Sequence, residues 1–226
     1  MPLFDEKVLQ ELVKAINDHH LEISSSWVDS TELKVLNLKK NRIDHIVDEE
    51  LRLIDVEFLK MIDDYHHFLN IQTIDIEYEF DFKDFDVRTR IKQKDSIVNK
   101  LIHYGKKTSK EGVGVIPINK CMNDIFGIRI IFENIDHNDA SFTDNIKKLC
   151  EKYNLRKVIK TEDEYLATHL YFKNEKNIFF PWELQIWSKE DSIRNEASHK
   201  KHKIKRQYTK WPDMYKNDSN PERREI

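Results

Sequence analysis

Trp182-Glu183-Leu184-Gln185-Ile186-Trp187 is the stretch around which the rest of the chain can be organised. Successive side chains alternate across an extended backbone, so Trp182, Leu184 and Ile186 share one face while Glu183 and Gln185 point to the other. One face belongs to a core and the other carries a carboxylate and an amide. A second strand-like stretch, Asn123-Asp-Ile-Phe-Gly-Ile-Arg-Ile-Ile131, opens with Asp124 and completes the spacing D-x-x-G-x-R through Gly127 and Arg129. Carboxylates on two neighbouring strands make a hard oxygen site suited to Mg²⁺, which binds through one or two carboxylates plus substrate phosphates. Two solvated strand acids are the ordinary explanation of the same residues.

Upstream lies Arg90-x-Lys92-x-x-x-Ser96-x-x-x-Lys100. A helix beginning near Arg90 would put Lys92, Ser96 and Lys100 on one face, offering two ammonium groups and a hydroxyl to a polyphosphate, with an arginine free to stack on a base. A solvated lysine face has the same pattern. Downstream, His199-Lys-Lys-His-Lys-Ile-Lys-Arg206 with Lys210 is the densest basic tract; it suits an RNA backbone or a solubilising helix face. Gly105-Lys-Lys-Thr-Ser109 resembles the end of a phosphate-binding loop but lacks the upstream glycine. His66 with His67, and His199 with His202, are remote from both cysteines and do not form a zinc spacing.

The remaining segments fall into an α+β order. Apolar residues from Asp5 to Ile23 recur at helical spacing, Ser24 to Ser26 read as a break, and a long amphipathic pattern from Asn41 to Leu69 predicts one continuous helix. The period then becomes two from Ile74 to Phe82, predicting a strand. Ser96 to Tyr104 is helical, Gly105 to Pro117 a loop, Ile125 to Phe132 a strand, and Ser141 with Asp144 looks like a capping box opening a helix through Tyr153. Strands are expected at Arg156 to Lys160, His169 to Lys173 and Trp182 to Ser188, then a helix from Ser192 to Tyr208. The expected organisation is an N-terminal helical region over 1–72, a mixed-sheet domain over 73–210 and a polar tail over 211–226.

Composition bounds the function. Lys and Arg number 38 against 41 Asp and Glu, a formal net charge of -3 that is unlike a general DNA coater. With Gly 4 and Pro 5 a glycine-rich phosphate loop is nearly excluded. Cys121 and Cys150 are expected as reduced, partly buried thiols. No stretch approaches the ~20 apolar residues of a membrane span, and Met1 to Leu12 reads as acidic and amphipathic rather than basic followed by apolar, so the expected location is the cytoplasm.

Taken in order, Arg90-x-Lys92-x-x-x-Ser96, Asp124-x-x-Gly127-x-Arg129, Tyr165-x-x-x-His169 and Glu183-Leu-Gln-Ile resemble the RelA/SpoT synthetase domain of the alarmone synthetases, including the small single-domain ones. Glu196 and His202 resemble the helix that follows the E-I-Q-I-R-T motif of the long enzymes. The resemblance spans roughly Arg88 to Tyr208. It implies a nucleotidyltransferase-like mixed sheet flanked by helices, moving the β,γ-pyrophosphate of ATP to the ribose 3′-hydroxyl of GDP or GTP to make (p)ppGpp. By position, Arg90 and Arg129 would sandwich adenine while Lys92, Ser96 and Lys100 hold the phosphates. Asp124 and Glu183 would bind Mg²⁺, Glu183 would help deprotonate the hydroxyl, Tyr165 would stack on guanine, and His169 would lie beside the acceptor or the transferring phosphates.

Departures gather on the acceptor side. Glu164 stands where the family has glycine, Pro-Lys is absent, and Trp187 replaces the arginine of E-I-Q-I-R-T. Glu162, Asp163 and Glu164 would repel a 5′-di- or triphosphate unless Lys157 or Lys160 compensates. Some small relatives pyrophosphorylate the 3′ end of tRNA as toxins, and the basic tract is compatible with that acceptor; a nucleotide-binding module without synthesis is the non-enzymatic alternative. No His-Asp dipeptide occurs, so alarmone hydrolysis is not expected. The apolar stripe of the 41–69 helix needs a partner, and a second copy in a homo-oligomer, an antitoxin or the chain's own domain would each serve.

Overall fold

Asp5 starts the first helix by accepting from the backbone N–H groups of Lys7 and Val8, which satisfies two donors the helix itself leaves unpaired. The helix, α1 (Glu6–Ser30), runs past Ile23 instead of breaking at the serines. Ser24 and Trp27 continue the buried stripe of Ile16, His20 and Ile23, so packing holds the helix through residues of middling propensity. The computed structural model describes residues 4–48, 53–74, 76–110, 116–162 and 165–204, with the backbone alone described at 106–110, 162, 199 and 202–204. The tail over 211–226, and Lys205, Arg206 and Lys210 of the basic tract, lie outside the described residues.

The single helix expected over 41–69 is two things. A 3-10 turn at Ile43–His45 leads into a two-stranded ribbon, β1 (Val47–Asp48) antiparallel to β2 (Leu53–Ile54), and only then does α2 (Val56–Gln72) begin. Asp55 sets that start, its carboxylate accepting from Phe58 N–H at 2.8 Å. The described residues of the Ile74–Phe82 stretch likewise form no strand, and Tyr78–Asp81 is the short helix α3. Tyr78 is buried with its hydroxyl 2.7 Å from His19 Nδ1, whereas Ile74 and Phe80 are exposed, so the alternation does not line one sheet face.

The strand is the next segment, β3 (Asp86–Ile91), and Arg90 belongs to it; α4 (Lys94–Lys110) starts at Lys94 and takes in Gly105, which was expected in a loop. A β-carbon on Gly105 would come 2.8 Å from Val47 Cγ1, so α4 crosses β1 where only glycine fits. Residues 111–115 of the expected loop lie outside the described residues. After α5 (Ile118–Cys121) come β4 (Phe126–Phe132), α6 (Ala140–Tyr153), β5 (Arg156–Glu162), β6 (Tyr165–Phe172), β7 (Trp182–Ser188) and α7 (Lys189–Ile204). Asp139, rather than Ser141 with Asp144, caps α6: its carboxylate accepts from Phe142 N–H at 3.0 Å.

The five-stranded sheet has the order β3-β4-β7-β6-β5, with β4 and β7 parallel and every other pair antiparallel, so the protein is α+β with a mixed sheet flanked by helices. Its back face carries Phe126, Ile128, Ile130, Phe132, Trp182, Leu184, Ile186, Leu170 and Phe172, all buried. Trp182 donates from Nε1 to the Tyr65 hydroxyl at 2.8 Å, and Tyr65 stacks on Phe180 and meets Trp27 edge-on. Those aromatic contacts fasten α1 and α2 to the sheet and leave the opposite face for polar residues. Among the described residues both cysteines are free, Cys121 buried and Cys150 half-buried, and no helix is long and apolar enough to cross a membrane.

Candidate functional site

Register puts the expected site residues on the front of the sheet. Gly127 pairs with Arg90 on one side and Glu183 on the other, Arg129 pairs with Arg88 and Gln185, and His169 and Tyr171 of β6 lie opposite Gln185 and Glu183. Because parity is preserved across a ladder, these side chains face the same way. Gly127 leaves a gap between Arg90 and Glu183; an added β-carbon there would meet nothing nearer than Arg90 O at 3.9 Å.

Asp124 sits just ahead of β4 and gathers two lysines. Lys92 Nζ is 2.6 Å from Oδ2 and Lys100 Nζ is 2.9 Å from Oδ1, and Lys100 also donates to Asn123 Oδ1 at 3.0 Å. The expected ridge is thus corrected in detail: Lys92 is in the turn between β3 and α4, Ser96 and Lys100 are on the helix, and the two ammonium groups meet all the same. Burial opposes the charge on Asp124, but Lys100 and Lys92 outweigh it and hold its pKa far below the usual carboxylate range. Burial also opposes the charge on Lys100; Asp124 reverses the balance and raises its pKa.

Glu183 is buried, 4% exposed, and both of its oxygens are engaged. Oε1 accepts from His169 Nδ1 at 2.7 Å and lies 3.7 Å from Lys160 Nζ, while Oε2 accepts from Gln185 Nε2 at 2.7 Å. Burial pushes its pKa up, but the His169 hydrogen bond and charge, then Lys160, bring it down to about 2; the charge on Asp124 is close enough to act in the opposite direction. A carboxylate only accepts, so His169 Nδ1 carries a proton and donates it to Glu183, while the Tyr165 hydroxyl stands 2.8 Å from Nε2 on the other side of the ring.

Tyr165 was expected to stack on a guanine. The residue is 7% exposed, its ring packed edge-on to Trp187 in a small cluster with Ile131 and Ala167, so it is largely covered. Burial, then Glu183, drives its pKa well up, so the hydroxyl stays protonated. Arg129 lies over the same indole, its Cζ 4.4 Å from the Trp187 ring, with Nη1 3.6 Å from Glu196 Oε1 on α7. Burial and neighbouring Arg88 lower the guanidinium's pKa. Arg90 is exposed and diagonal to Arg129 on the same face.

Tyr171 was missed by the motif reading. It faces Glu183 across β6 and β7, and its pKa is pushed far up by burial and by that carboxylate. The signal was available as parity, since Tyr165, His169 and Tyr171 are separated by even intervals. On α7, Lys200 and Lys201 are exposed, and Asn195 exchanges two hydrogen bonds with the Leu166 backbone on β6.

No family model matches the chain, and no curated protein matches it. Among solved structures it is similar to small alarmone synthetase 1 from Bacillus subtilis, with 16% identity over 71% of this chain and 85% of that one and a TM-score of 0.38. The same enzyme bound to its product pppGpp gives 15% identity, 70% and 81% coverage and a TM-score of 0.33. Bound to AMPCPP it gives 20%, 70% and 82%, and a TM-score of 0.30. Superpositions this loose leave the site to be judged on this chain's own side chains.

Proposed function

We propose that this chain is a RelA/SpoT-like pyrophosphokinase that transfers the β,γ-pyrophosphate of ATP to the ribose 3′-hydroxyl of GDP or GTP. One juxtaposition carries the reading: Lys92 and Lys100 converge on Asp124 beside the sheet face where Glu183 is held by His169 and Gln185. Phosphoryl transfer is chiefly positioning and charge neutralisation, and this set supplies both without a covalent nucleophile. Lys92, Ser96 and Lys100 hold the ATP phosphates, with Arg90 and Arg129 beside the base. Glu183, kept ionised and oriented, takes the proton of the attacking hydroxyl. The catalytic unit is the part over 73–210, backed by the helices of 1–72.

The donor set fits Mg²⁺. Asp124 and Glu183 are hard oxygen ligands whose charges sense each other, the donor type that Mg²⁺ takes together with substrate phosphates. Asp124 and Glu183 would hold Mg²⁺ there, and its positive charge would offset the negative charge of the phosphates. The lysines now on Asp124 would turn to the triphosphate, a short swing for two flexible side chains.

Lys200 and Lys201 exposed on α7, together with the covered ring of Tyr165, favour the 3′ end of tRNA as a second acceptor. The test is to supply ATP labelled in the γ-phosphate with Mg²⁺ and either GDP, GTP or tRNA. Label on a guanine nucleotide supports alarmone synthesis and label on tRNA supports the second acceptor. ATP binding with no labelled acceptor would make the chain a nucleotide-binding module.

A further inference from the structure

Lys92 is held at its backbone as well as at its side chain. Its N–H donates to Ile125 O at 2.8 Å, tying the turn to the start of β4. Its carbonyl lies 3.1 Å from Nε2 of His66, which comes from α2 on the other side of the turn. Asn70, one helical turn on, fixes that imidazole: its Nδ2 is 3.0 Å from His66 Nδ1 and 2.6 Å from the His66 carbonyl. With Asn70 donating to Nδ1, the ring proton is at Nε2 and points at Lys92 O. Asp63, on the same side of α2, pairs with Lys94 two residues beyond. The turn carrying the Asp124-facing ammonium is therefore clamped between α2 and β4.

We infer that His66 is a positioning residue for the phosphate site, setting through the Lys92 carbonyl where the Lys92 ammonium stands, so that α2 is a working part of the ATP site. This rests on the proposed function. The bland role for the same contact is to hold the fold, and the two separate on whether the effect of His66 passes through the Lys92 side chain. Losing one neutral hydrogen bond of this kind shifts an equilibrium by about five- to tenfold. A glutamine at position 66 keeps an amide donor on a side chain of similar reach.

The experiment is calorimetric binding of a non-hydrolysable ATP analogue to the full chain and to His66→Ala, His66→Gln, Lys92→Ala and the double variant His66→Ala with Lys92→Ala. His66→Ala should weaken binding about five- to tenfold, His66→Gln should recover most of the loss, and His66→Ala should add nothing once Lys92 is alanine. An undiminished effect in the Lys92→Ala background, or none in the wild-type background, overturns the inference. A parallel readout needs no nucleotide: acetylation of Lys92 by acetic anhydride, followed by mass spectrometry. Faster Lys92 labelling in His66→Ala than in wild type or His66→Gln supports the positioning role even if the analogue fails to bind, in which case the proposed function fails alone. Equal labelling in all three overturns the role.

Discussion

His169 Nδ1 lies 2.7 Å from Glu183 Oε1, and this bond joins the two chemical motifs that lie furthest along the chain. It orients the carboxylate that the proposed reaction uses as a base and, with Tyr165 on the other ring nitrogen, fixes the imidazole. In the proposed reaction Tyr165 would thereby act through its hydroxyl.

Tyr165→Phe keeps an aromatic ring and removes that hydroxyl. It should lower kcat about tenfold, the worth of one buried hydrogen bond to the imidazole that orients Glu183, while leaving the acceptor KM nearly unchanged. A stacking role predicts the reverse, with Tyr165→Phe close to wild type and Tyr165→Ala raising the acceptor KM. Steady-state kinetics on the two variants separate the alternatives.

For Asp124, replacement by Asn removes the anion shared by Lys92 and Lys100. Two partly buried ammonium groups then lose their common partner, and the unfolding midpoint should fall in step with a cost on the order of 3 kcal/mol. ATP binding should survive, because both cations remain for the phosphates, whereas transfer should drop by roughly 10²-fold or more. Near-normal turnover by a folded Asp124→Asn protein would remove Asp124 from the chemistry.

Stability should depend on pH through Glu183. Its pKa is lowered from 4.5 to about 2, so the folded state favours the carboxylate. The contribution is fully present above the unfolded value of 4.5 and is lost as pH falls from there through about 2. The loss should amount to a few kcal/mol, with Asp124 acting in the same direction. Denaturant melts over this window should show a shallower fall for Glu183→Gln than for wild type; equal slopes would mean that Glu183 is not held ionised by its neighbours.

Trp187 should bear on ATP through Arg129. Removing the indole in Trp187→Leu frees the guanidinium that lies 4.4 Å from it, and ATP-analogue affinity should fall by about two- to tenfold. Because the effect passes through Arg129, it should vanish in an Arg129→Ala background. Persistence there, measured by calorimetry, would show that Trp187 acts by another route.

Much of the front face was legible because parity is local. Glu183 with Gln185 could be placed on a common face from spacing alone, and the apolar residues at Trp182, Leu184 and Ile186 identified the buried side of β7, whereas the strand expected from His169 begins four residues earlier, at Tyr165. Register was not legible: that Tyr171 pairs with Glu183, or that Arg90 faces Gly127, depends on long-range packing. The 41–69 error has a plain cause, since a ribbon and a helix in succession left an apolar pattern close to 3.6, and Asp55 as an N-cap was the overlooked signal. At Ile74–Phe82 alternation was present without a partner strand, and β3 followed a few residues later with a weaker pattern of Val87 and Ile91 between charges. Lys92 reached Lys100 without being helical, because both answer to Asp124.

The most direct measurement is the fate of ATP when the acceptor is present. Transfer of pyrophosphate releases AMP, one for each acceptor modified, and chromatography of the reaction should show AMP and modified acceptor rising together in wild type and neither in Glu183→Gln. ADP or inorganic phosphate in place of AMP, or AMP formed without any modified acceptor, would contradict pyrophosphate transfer at this site.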